Sequence, residues 1–251
     1  MIPVANILQP LIDVANSVLR FFHDDVGLSW GLAIIALTVV TRALLIPLTY
    51  KSLKGMRALQ ALQPQIKEIQ AKYKNDRQRM QQEMMRFYQA NKINPLASCI
   101  PLLAQLPIFI TLFYALRDEL PEDIGCEAGK CGDLASFLFI PDLTAKATGG
   151  VLIALLVLYI GTQLISGLVM AVTADKNQRT LMMVLPFIFV PFVITFPAGL
   201  VLYWITTNVW TIGQQAVIQR LVPPPVHPAP EEVAAAKPPP PSPRKKKKRR
   251  R

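Results

Sequence analysis

The stretch WGLAIIALTVVTRALLIPLTY, residues 30–50, decides how this chain is read. It is apolar, long enough to span a bilayer, and carries a single charge, Arg42. A guanidinium near the middle of a membrane helix costs about 2.5–3.5 kcal/mol on insertion scales. It does not deprotonate in proteins, so neutralisation offers no escape. It must face water, protein or a ligand, and a polar site within the membrane follows.

Similar apolar blocks recur at residues 95–116, 149–174, 181–196 and 198–221 of the 251-residue chain. At about 1.5 Å per residue, the second block reaches roughly 33 Å, enough for the hydrocarbon core. Residues 181–196 form a short block carrying Pro186 and Pro191, which predicts a thin or kinked span. Pro197, Ala198 and Gly199 then break the chain, so the charge-free run from 181 to 219 reads as a tight membrane hairpin.

Charge orients the bundle. Residues 51–94 hold ten Lys or Arg and three acids, whereas residues 118–148 hold seven acids and two Lys. Basic loops mark the cytoplasmic side. Lys176 and Arg179 in the short link add to that side. The expected fold is an all-α integral membrane protein with five transmembrane helices, the N-terminus outside and the C-terminus inside. Its parts are an amphipathic helix on the outer interface (1–28), span one (29–50), a cytoplasmic helical hairpin (51–94), span two (95–117), an outer acidic loop (118–148), span three (149–174), a cytoplasmic link (175–180), span four (181–196), span five (198–221) and a disordered, Pro-rich basic tail (222–251).

The first 28 residues lack the basic start of a signal peptide. Val4, Ile7, Leu8, Leu11, Val18 and Phe22 fall at helical spacing. The helix either lies in the outer interface or packs on the bundle. Cys99 reads as a small apolar residue of span two. Cys126 and Cys131 lie in the outer loop, where an oxidising compartment permits a disulfide; no third Cys or His nearby suggests a metal site.

In the hairpin, Leu53, Met56, Leu59 and Leu62 trace an apolar stripe, Pro64 kinks or restarts the first arm, and Lys74-Asn75-Asp76 makes the turn. Met80, Met84 and Met85 lie on the second arm, with Phe87 and Tyr88. Such a pair buries its own seam, and exposed methionines add an adaptable surface. The tail ends in Arg244, Lys245, Lys246, Lys247, Lys248, Arg249, Arg250 and Arg251. Eight cations attract anionic lipid or RNA phosphate, and with no aromatic interleaved they do not indicate base recognition.

Four spans present polar stripes: Thr38, Arg42 and Thr49; Ser98 and Gln105; Tyr159, Thr162, Gln163 and Ser166; Trp204, Asn208, Thr211 and Gln215. Hydroxyls and amides often only join helices together. They do not cancel the charge of Arg42, and no Asp or Glu lies in any span. A proton-coupled transporter usually carries an intramembrane acid or His, and His23 and His227 both fall outside the spans. No metal set, phosphate loop or nucleophile–base pair is evident, so the sequence reads as a non-enzyme without cofactors. Rival classes are an anion-selective channel or transporter, which would need a continuous pore, and a ribosome-recruiting membrane scaffold.

These segments resemble the YidC/Oxa/Alb membrane protein insertases. TVVTRALLIPLTYKS (38–52) resembles the family's arginine segment. LQPQIKEIQAKYKND (62–76), QQEMMRFYQANKINPLASCIPLLAQLPIFITLFYAL (81–116) and FPAGLVLYWITTNVWTIGQQAVIQR (196–220) resemble its hairpin, second span and last span. The likeness runs from about residue 30 to 221 and is to the short, five-span bacterial form. It implies an insertase or chaperone of the bacterial plasma membrane that works without nucleotide hydrolysis. It further implies a hydrophilic groove formed by Arg42, Thr38, Gln105, Gln163, Trp204 and Asn208, open to the cytoplasm and to lipid. Ile46 stands where some members carry Tyr. By the same resemblance the hairpin, with Met80, Met84 and Met85, receives nascent membrane proteins, the basic tail meets the ribosome, and the Sec translocon is a possible neighbour.

Overall fold

A computed structural model describes residues 3–91, 100–127, 129–170 and 176–221. The described residues are helical almost throughout, with two isolated β-bridges and no strand. Ten α-helices are described: α1 (Pro3–Arg20), α2 (Trp30–Leu44), α3 (Ile46–Ala61), α4 (Gln63–Lys72), α5 (Arg77–Ala90), α6 (Ile100–Tyr114), α7 (Leu120–Ile124), α8 (Gly149–Met170), α9 (Lys176–Val193) and α10 (Ala198–Leu221).

The core lies where α2, α6, α8 and α10 meet. Ile34, Leu37, Leu112, Leu116, Leu155 and Leu200 are buried there. α8 passes as a membrane span by length and hydropathy over Gly149–Val169. Its outer face exposes Ile153, Val157 and Ile165, and α9 exposes Leu181, Val184, Phe187, Ile188 and Phe192. Apolar surface on that scale marks contact with a membrane rather than with water. α9 lies against α8 at Gly167, where an added Cβ would stand 3.6 Å from the Met182 carbonyl.

Several boundaries differ from the sequence reading. The stretch expected as one span over 29–50 bends by 53° between Trp30–Leu44 and Ile46–Ser52. Pro47 explains it: its nitrogen has no proton for the Ala43 carbonyl, and its ring crowds that carbonyl. Beyond the bend α3 continues to Ala61, so the end of the span and the first hairpin arm are one helix. At the other end of the bundle, α6 passes through a wider turn at Ala115–Glu119 into α7. The helical path therefore runs seven residues past the expected end at 117. Leu112, Leu116 and Leu120, one turn apart and almost fully buried, carry it onward. Gly125, at φ +78°, ends it in the left-handed conformation.

The hairpin forms from local rules. Pro64 sits in the first turn of α4, where its missing N–H costs nothing. Asp76 caps α5 by accepting from the Arg79 amide at 3.0 Å. α4 and α5 pack together over Ile66.

Of the two placements open for the N-terminal helix, α1 packs on the bundle. Ile12, Ala15 and Leu19 are buried, Asn16 donates to Glu119 at 3.0 Å, and Arg20 forms a two-pronged ion pair with Asp123. Asp123 holds the Arg20 guanidinium above its ordinary pKa through those bonds and its charge. Leu11 and Val14 remain exposed on the opposite side.

The acidic loop between α7 and α8 folds back over the end of the bundle. Cys126 and Cys131 form a disulfide. The Asp142 carboxylate accepts from the amides of Cys131 (2.9 Å), Gly132 (3.2 Å) and Thr144 (2.8 Å) and from the Thr144 hydroxyl (2.6 Å). The Leu143 and Ala145 carbonyls accept from Gly199 and Ala198, each at 2.8 Å, pinning the loop to the first turn of α10. Phe137 lies directly on Gly31, and Ile140 and Leu143 are buried in the core.

Candidate functional site

Arg42 lies in the last turn of α2, just before the bend, and is half-buried. Opposite it, within electrostatic reach, is the Tyr203 phenol of α10. Gln105 of α6 donates through Nε2 to that phenol. Tyr203 is 2% exposed, so its hydroxyl is a protein-held dipole and not a solvated one. Arg42, Tyr203 and Gln105 thus link α2, α10 and α6 in one chain of polar interactions. The ion pairs among the described residues join Arg20 to Asp123, Arg86 to Glu83, Arg117 to Asp118 and Lys130 to Glu127. None of them engages Arg42.

The other expected groove residues fall into separate groups. Thr38 is buried one turn before Arg42, and its hydroxyl donates to the Ile34 carbonyl of its own helix at 2.7 Å. Asn208 of α10 is buried and donates to the Thr162 hydroxyl of α8 at 3.3 Å, bridging those helices. Ser166 and Gln215, one to two turns along, are also buried and extend this polar seam. Gln163 is half-buried beside Thr162 and rotated off the seam. Trp204 stacks on Phe109 (centroids 5.3 Å, planes 13° apart), meets Phe196 edge-on at 5.6 Å and lies 5.9 Å from Tyr159. It therefore forms the centre of an aromatic cluster between α6 and α10.

Tyr203 is the residue the sequence reading omits. The stripe of Trp204, Asn208, Thr211 and Gln215 drew attention to the neighbouring face. A signal existed, because a tyrosine within an apolar helix requires a partner for its hydroxyl.

On the hairpin, Met80 and Met84 are half-buried toward the seam and Met85 is 54% exposed. Arg79 and Lys72 flank the Tyr73 ring at 5.4 and 5.7 Å. Burial pushes the Tyr88 phenol above its ordinary value. The start of span two with Ser98 and Cys99, the side chains of Leu53 and Met56, and the tail cations Arg244 to Arg251 lie outside the described residues.

The family described as "60Kd inner membrane protein" matches residues 21–224. A protein of Geobacter sulfurreducens named membrane protein insertase YidC is 37% identical, the match covering 81% of this chain and 36% of that protein. One of the same name from Streptomyces avermitilis is 37% identical, covering 89% and 58%. One from Mannheimia succiniciproducens is 40% identical, covering 85% and 37%. Among solved structures, a crystal structure described as an active YidC insertase with its first transmembrane domain resolved matches with a TM-score of 0.61 and 28% identity, over 85% of this chain and 45% of that one. The chain thus matches between about a third and three-fifths of the length of these relatives.

Proposed function

The chain belongs to the 60Kd inner membrane protein family, and on that premise we propose that it is a membrane protein insertase and chaperone, working without hydrolysis in a bacterial plasma membrane. It spans the bilayer five times, N-terminus outside, with the α4–α5 hairpin and the tail in the cytoplasm. Nascent hydrophobic segments are its substrates. The ribosome and anionic lipids meet the basic tail, and the Sec translocon is a neighbour for some substrates.

One observation carries the reading: a guanidinium with no carboxylate partner among the described residues, within electrostatic reach of a Tyr203 phenol that Gln105 in turn bonds. An uncompensated cation at membrane depth attracts a visiting acid. The 53° bend between α2 and α3 follows directly after Arg42 and marks the end at which we place the entry. The outer loop, pinned to Ala198 and Gly199, covers the opposite end. In this mechanism a hydrophobic segment with an acidic flank meets the hairpin at Met80, Met84 and Met85 and enters beside Arg42. The half-buried Gln105 and Gln163 hydrate the flank, backed by the buried Thr38 and Asn208, so it crosses less hydrocarbon, and Trp204 borders the path into lipid. Apolar burial, about 0.8 kcal/mol per CH₂, drives release. The membrane potential adds about 2.3 kcal/mol per outward-moving negative charge per 100 mV.

The test is insertion by reconstituted Arg42→Ala and Arg42→Lys proteins across substrates with acidic or neutral flanks, with crosslinking from positions 38, 42, 105 and 204 to stalled nascent chains. The lysine variant should retain activity, and the alanine variant should lose the acidic-flanked substrates first. Equal insertion of both classes by the alanine variant, with no crosslinks, would refute the proposal.

A further inference from the structure

At the outer end of the bundle lies a cavity of about 630 Å³ that the insertase reading does not use. Its volume falls within the range of small-molecule sites, about 300–1,000 Å³. The end of α1, the turn after it, the start of α2 and α7 form its walls. Arg20, His23, Asp24, Trp30, Glu122 and Asp123 line it, with Ile124 and Leu134 as an apolar lip.

Its chemistry is of mixed sign. Arg20 spends two N–H groups, on Nε and Nη2, on Asp123. A guanidinium has five, so three remain for an anion. Asp24 and Glu122 are exposed and take no part in the ion pairs described above. His23 holds its Nδ1 2.7 Å from the Leu28 carbonyl, which places a proton on Nδ1. The free N–H groups of Arg20 offer donors to an anion, while the excess of carboxylates, three against one guanidinium, favours a positively charged group beside it. A group carrying both signs satisfies both walls. Among the described residues no cluster of His, Cys, Asp and Glu is arranged for a metal ion.

The cavity also sits at a definite level. Trp30 is the first residue of α2, and no charge follows until Arg42, so the charged wall stands just above the apolar run. Phe21, Val26, Leu134, Leu138 and Phe139 are exposed on the surrounding turns. Aromatic and apolar side chains in that arrangement mark the headgroup layer of a bilayer. The form of the amine follows from Trp30. The His23 ring covers one of its faces at 3.9 Å between centroids, and Trp30 is 7% exposed. No open aromatic cage is available for a trimethylammonium. The remaining acceptors call for N–H donors.

We infer that this cavity binds a phosphodiester bearing a primary ammonium, the headgroup of an aminophospholipid, with the phosphate on Arg20 and the ammonium between Asp24 and Glu122. The inference is independent of the groove around Arg42. The test titrates the purified full chain in detergent with dihexanoyl phosphatidylethanolamine, phosphatidylcholine and phosphatidylglycerol, and with free O-phosphoethanolamine, reading bound lipid by native mass spectrometry. The ethanolamine lipid should bind at least about tenfold tighter than the choline and glycerol lipids, the loss of one charged hydrogen bond, and tighter than free O-phosphoethanolamine, which lacks the acyl chains. An Asp24→Asn, Glu122→Gln double variant, altered only at exposed positions, should fall to the choline level, and Glu127→Gln should match the unaltered protein. Equal binding of the glycerol lipid, an unchanged double variant, or equal binding of free phosphoethanolamine would overturn the aminophospholipid assignment. So would displacement of the lipid by a lysine-flanked apolar peptide, which would show a peptide site.

Discussion

The contact between Gln105 and Tyr203 joins residues 98 positions apart and stands beside Arg42, so its removal tests the architecture of the site directly. Tyr203→Phe keeps the ring and its volume, leaving no cavity, and deletes only the hydroxyl. The Gln105 amide is then a part-buried donor without its partner. Gln105→Leu leaves the buried phenol in the same position. Each orphaned group costs about 1–3 kcal/mol, while removing both partners together is nearly neutral. The double variant should therefore be more stable than the sum of the singles, with a coupling of about 0.5–3 kcal/mol. Chemical unfolding of the four proteins in detergent micelles measures the cycle. Functionally, Tyr203→Phe removes a hydroxyl dipole that interacts with Arg42, so insertion of acidic-flanked substrates should fall while neutral-flanked ones persist. Additivity within about 0.3 kcal/mol would refute the contact. A full cycle coupling with no change in substrate preference would detach Tyr203 from the role of Arg42.

Three further outcomes follow from the outer loop and the hairpin. In Gly31→Ala the new Cβ would stand 2.1 Å from Phe137 Cγ, against an ordinary carbon contact of about 3.5–4.0 Å. Phe137 is held by paired 2.9 Å bonds with Ile140, so the overpacking, about 1–3 kcal/mol, should exceed the helix-propensity gain of about 1 kcal/mol and lower the unfolding temperature. Asp142→Ala strands the amides of Cys131, Gly132 and Thr144, and a loss of about 3 kcal/mol or more should appear together with accelerated hydrogen exchange at those three amides. The hairpin should loosen in alkali: the folded state favours the neutral Tyr88 phenol, so its contribution is complete below pH 10 and declines as pH rises beyond it. Proteolysis of the hairpin across pH 8–11 should show that decline, and Tyr88→Phe should flatten it.

How much of this was legible in the chain depends on how local each cause is. The uncharged run forming α8 needs no partner to be recognised, because its own composition satisfies the bilayer and its own backbone satisfies the hydrogen bonds. Pro64 restarting α4, Asp76 capping α5 and the break at 197–199 are likewise decided within a turn. The bend at Leu45 was less accessible. Pro47 makes a break at this point, but its presence alone gives neither the size nor the direction of the bend, which the tertiary packing sets. Asp142 reads as one more acid in an acidic loop; its role as a fourfold acceptor exists only once Cys131, Gly132 and Thr144 are folded around it.

The sequence by itself determined that this chain is helical and apolar in blocks, that its basic and acidic loops separate, and that Arg42 has no acid within reach along its own helix. Those properties follow from periodicity and charge, which act over a few residues. The tertiary structure alone decided which polar groups Arg42 meets. Tyr203 and Gln105 stand on helices far away in sequence; Tyr203 comes within electrostatic reach of the guanidinium and Gln105 bonds the Tyr203 phenol only because Leu37, Leu112, Leu116 and Leu200 draw α2, α6 and α10 together. A contact between distant segments has no signature in either segment. It is set by the closest packing that several apolar faces can achieve at once.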